Sequence, residues 1–78
     1  MMNEAIELKM SEWINQGDDT SMFKFASLLF ITAPKDKEPQ LQEILYQAQQ
    51  IAEGMTDIQI ARAKKEIKQL LNEGTNNE

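Results

Sequence analysis

The side chains in this 78-residue sequence that could do chemistry are carboxylates, hydroxyls and amines, because it contains neither histidine nor cysteine. Without histidine no side chain titrates near neutrality at its ordinary pKa, and without cysteine there is no ready thiolate nucleophile. Ser11, Ser21, Ser27 and the threonines therefore lack an evident activating base. The adjacent carboxylates Asp18 and Asp19 invite a metal reading, but a calcium loop needs several oxygen ligands at alternate positions around a glycine turn. Asp18-Asp19-Thr20-Ser21 does not supply them and reads instead as a polar turn that caps a helix. The thirteen acids single out no pair spaced for glycoside chemistry. The expectation is a non-enzymatic protein with no catalytic residue, no metal ligand and no cofactor.

The amines are concentrated near the C-terminus, where Arg62, Lys64, Lys65 and Lys68 make up half of the eight basic residues. Such a strip could contact phosphates, but Glu66 and Glu73 interrupt it and the net charge of −5 repels polyanions at long range. No aromatic residue accompanies it to stack on unpaired bases. It reads as the solvated flank of an amphipathic helix, and a nucleic-acid partner is disfavoured. Glu4 and Glu7 stand where a signal peptide would carry basic residues, and the apolar run 22–33 falls short of the ~20 residues that span a bilayer. With no cysteine to form a disulfide, the composition fits a cytoplasmic protein with no membrane segment.

These residues must be carried by helices. Asn3 is a candidate N-cap for a first helix from about Glu4 to Gln16, with Met2, Ile6, Met10, Trp13 and Ile14 at helical spacing and Gly17 at its end. The polar turn 18–21 leads into a second helix from Met22 to Ala33, which Pro34 terminates. That segment holds all three phenylalanines and a single charge, so other helices are expected to surround it. Pro39 opens a third helix with the stripe Leu41, Ile44, Leu45, Ala48, Ile51 and Ala52, closed by Gly54 as a left-handed cap. The best-specified start follows, with Thr56 as cap, Gln59 as capping-box partner and Met55 stapled to Ile60. Ile60, Ala63, Ile67, Leu70 and Leu71 then face one way until Gly74, and residues 75–78 have no apolar side chain to dock and are expected to be disordered. The sequence thus predicts an all-α fold, a single domain over residues 1–74 with four short helices, the second central and the last two forming a tight corner.

The stretch from Ile51 to Ala61, with its glycine turn, small polar cap and Ile60-Ala61 pair, resembles the start of the helix-turn-helix in LuxR-type transcription regulators. That resemblance implies a DNA-touching corner at residues 51–61. The sequence departs from the pattern after Ala61, where Arg62 to Leu71 continues one helix and leaves no separate recognition helix. The preferred reading is a small acidic regulator or adaptor that binds a protein, with a homodimer as one form of that partnership. Its interface is expected among large apolar residues off the core stripes: Tyr46 on a glutamine-rich face, Ile58 opposite Ile60, and Leu28 and Ile31 on the same side of the second helix as Lys24. Leu8 is similarly off the stripe of the first helix.

Overall fold

The computed structural model describes residues 4–75, which form four helices and no strand: α1 (Glu4–Gln16), α2 (Asp19–Thr32), α3 (Glu38–Ala52) and α4 (Asp57–Thr75). The expected all-α architecture is the one observed. Met2, the Asn3 cap and residues 76–78 lie outside the described residues.

Local chemistry explains where each helix begins and ends. Gly17 adopts φ 71° and its N–H donates to the Trp13 carbonyl at 3.1 Å, the left-handed termination that closes α1. α2 starts at once, three residues earlier than the sequence suggested, because Asp18 takes the extended cap position and its carbonyl accepts from Met22 N–H at 2.9 Å. Asp19, Thr20 and Ser21 are therefore its first turn rather than a linker. Ser21 Oγ lies 2.6 Å from both Asp18 Oδ1 and Gln16 Oε1, tying that turn to the end of α1. Gly54 does not take the left-handed conformation expected of it. α3 instead tightens at its end, with Gly54 N–H donating to the Ile51 carbonyl and Met55 N–H to that of Ala52, three residues back in each case. The α4 capping box is formed as expected: Thr56 N–H donates to Gln59 Oε1 at 2.9 Å, and Gln59 N–H donates to Thr56 Oγ1 at 3.1 Å. α4 passes Gly74 and includes Thr75.

α2 is central because it feeds two apolar clusters. The first gathers large side chains, Ile6, Met10 and Trp13 of α1 with Leu28 of α2 and Ile67 and Leu70 of α4. The second is built on small ones, Ala26 and Phe23 of α2 with Ala48 of α3 and Ala63 of α4, flanked by Met55 and Ile60. Alanines at these contacts let helix backbones approach closely, and α3 packs more extensively on α2 than any other pair of helices. α3 and α4, by contrast, touch each other little. The short segment 53–56 joins them, both lean on α2, and residues of all three helices line a groove. Ile14, predicted on the core stripe, is exposed on the flank of α1.

Candidate functional site

Two neighbouring concavities open on the surface of α2. Between α2, α3 and α4 a groove of about 330 Å³ is lined by Phe23, Ser27, Leu45, Ala48, Ala52 and Ile60. A second lobe of about 360 Å³ continues between α2 and α4, lined by Ile31, Ile67 and Leu71. Ser27 and Lys64 line both lobes, so the two form one trough along α4. From Ile60 to Leu71 it spans twelve residues of helix, or ~16 Å over the eleven rises of ~1.5 Å between them.

The trough is apolar except at its edge. Lys64 and Lys68, one helical turn apart, line it, and neither forms an ion pair among the described residues. Two unpaired like charges at that spacing repel slightly. The other polar groups lining it are the Ser27 hydroxyl and the Gln49 amide, and no carboxylate is among the lining residues. Such a lining suits the burial of an apolar surface with acidic flanks.

Of the other cations, Lys9 and Lys24 form ion pairs. Lys24 Nζ donates to Glu66 Oε1 at 2.9 Å and lies 5.1 Å from the centroid of the Trp13 ring. Glu66 also faces Lys9 at 3.8 Å, and Lys9 meets Glu12 at 3.1 Å. The Glu12 carboxylate beside it raises the Lys9 pKa above the usual lysine value. This cluster ties α1, α2 and α4 together over the first apolar cluster. The hydrogen bond from Ser21 holds the Asp18 carboxyl below its ordinary pKa. Asp18 and Asp19 are not part of any metal-ligating cluster, and among the described residues no group of three His, Cys, Asp or Glu side chains comes together.

The four expected interface residues fall into different places. Leu28 is 0% exposed and belongs to the first apolar cluster, so its assignment to a binding surface is corrected. Lys24 is the reason it was misread. As the one charge on that side of α2 it signalled solvent, yet its side chain is only 13% exposed, folded over Trp13 and onto Glu66. Ile31, one turn further, is 47% exposed and lines the second lobe. Tyr46 and Ile58 are exposed as expected, but neither lines the trough. Ile58 projects roughly 160° around α4 from Ile60, so these residues do not converge on one patch. Ser27, Lys64 and Lys68 were not singled out as interface residues. The pattern that could have found them is the run of short side chains at 26, 27, 48, 52 and 63 on three neighbouring helices.

α4 runs unbroken from Asp57 to Thr75, and among the described residues no further helix follows the 51–61 corner. No helix among the described residues is long and apolar enough to cross a membrane. Comparison of the chain with protein-family models, curated proteins and solved structures gives no match in any of the three.

Proposed function

We propose that this chain is a non-enzymatic protein-binding module, a small cytoplasmic regulator or adaptor that works by contact through the α2–α3–α4 trough. The observation that carries the reading is an open apolar concavity edged by two lysines that have no ion-pair partner among the described residues, in a chain of net charge −5. Apolar concavities with a few polar groups at their edge are where proteins commonly take up a partner's apolar groups. The residues that bear on binding are Ile31, Ile67 and Leu71 at one end and Phe23, Leu45 and Ile60 at the other. Tyr46 and Ile58 serve at most as separate, smaller contacts. A photo-crosslinking residue placed at Ile31, in living cells of the native host, tests this against the same residue at Leu8, which is exposed on the far side of α1. A discrete protein adduct at Ile31, absent at Leu8, supports the proposal. No adduct, equal adducts at both sites, or adducts to nucleic acid would refute it.

A further inference from the structure

We infer that the occupant of the trough is an amphipathic helix of about three turns, with apolar residues along one face and carboxylates flanking them. The inference rests on the trough being a protein-binding site and names the partner's chemistry. Length comes first: ~16 Å of groove matches twelve residues of a docked helix, enough for apolar anchors at i, i+4, i+7 and i+11. The two lobes meeting at Ser27 provide two successive depressions for those anchors, one between Phe23 and Leu45, the other between Ile31 and Leu71.

Charge decides the flank. Lys64 and Lys68 sit one turn apart on α4, ~6 Å along its axis, which is the spacing of residues i and i+4 on a partner helix lying alongside. Like Lys35, Lys37, Arg62 and Lys65, they form no ion pair among the described residues, but of these six cations only Lys64 and Lys68 line the trough. Acidic side chains on the incoming helix would complete the pairs. A second copy is the poorer occupant. In a two-fold dimer built on this face the same patch meets itself, and that patch brings two lysines and no carboxylate from each copy.

The probe is a synthetic helix-forming peptide of about 14 residues with leucines at the i, i+4, i+7 and i+11 positions and glutamates beside them, and its twin with every glutamate replaced by lysine. Titration into the isotope-labelled protein, read by amide shifts and by anisotropy of a labelled peptide, is expected to show the acidic peptide preferred by at least about tenfold near 0.1 M salt. Shifts should centre on Ser27, Ile31, Ala48 and Ala52. Raising the salt should weaken the acidic peptide's binding. The double variant K64E/K68E, changed only at exposed positions, should reverse the preference. Ser27→Arg, introduced where the lobes meet, should abolish binding of either peptide while retaining the helical circular dichroism spectrum.

Binding of neither peptide by the folded protein would overturn the inference, as would equal binding of both. So would a dimer in sedimentation that is lost in the Ser27→Arg variant, since the occupant would then be a second copy. If peptides fail while the Ile31 crosslink yields a protein adduct, the binding module stands and only the acidic-helix occupant falls.

Discussion

Leu28 and Ile31 sit three residues apart on the same side of α2, and their truncation is expected to separate folding from binding. Leu28→Ala removes three carbons from a site with no solvent exposure, packed among Trp13, Ile67 and Leu70. At ~0.8 kcal/mol per buried carbon the transfer loss alone is ~2.4 kcal/mol, and the cavity left in a two-sided contact raises it to about 3–5 kcal/mol. Ile31→Ala also removes three carbons, but Ile31 is 47% exposed and borders an open trough that water already enters. Roughly half the transfer loss and no cavity penalty give about 1 kcal/mol. A domain of this size is stable by only ~4–12 kcal/mol, so Leu28→Ala approaches the unfolding threshold and Ile31→Ala does not. Urea denaturation at 25 °C, followed by circular dichroism and by Trp13 fluorescence, measures both against the wild type. Equal midpoint shifts for the two variants would refute the burial argument. An unchanged Leu28→Ala midpoint would return Leu28 to the surface.

Further outcomes are expected. In a double-mutant cycle on Lys24→Met and Glu66→Gln, the coupling should be about 0.5–1.5 kcal/mol, above an exposed pair, because Lys24 is largely covered, but held down by the 38% exposure of Glu66; zero coupling would mean the pair is ornamental. Thr56→Ala should cost about 1 kcal/mol in thermal or urea unfolding through loss of the cap, with trough binding intact. Gly17→Ala should destabilise by about 1–2 kcal/mol through its positive φ. Gly54→Ala, whose added carbon would meet nothing closer than 3.7 Å, should be neutral or stabilise by up to about 1 kcal/mol; similar losses at both glycines would contradict the assigned backbones. Asp18 has its folded-state pKa depressed, so its contribution to stability is present above the ordinary carboxylate pKa of ~3.9 and is lost as pH falls through the folded value. Urea midpoints from about pH 5 to pH 2 should therefore fall less steeply for Asp18→Asn than for wild type.

Much of the fold was legible from local chemistry. Gly17, Pro34, Pro39 and the Thr56–Gln59 box mark element ends through backbone and capping requirements that operate within a few residues, so the sequence alone determined four helices and most of their boundaries. The stripe Ile6, Met10, Trp13 and the stripe Ala63, Ile67, Leu70 were likewise readable, since helical period assigns a side to each residue. Only the tertiary structure decided which sides are covered. Period placed Lys24, Leu28 and Ile31 together but could not foresee that Glu66, 42 residues on from Lys24, and the Trp13 ring would draw Lys24 inward and bury Leu28 beneath. Nor could it foresee the trough, whose lining comes from α2, α3 and α4 residues far apart in the chain. Helical period is a property of one segment, whereas a groove is a property of the crossing and spacing of several, set by the lengths of side chains far apart in the chain.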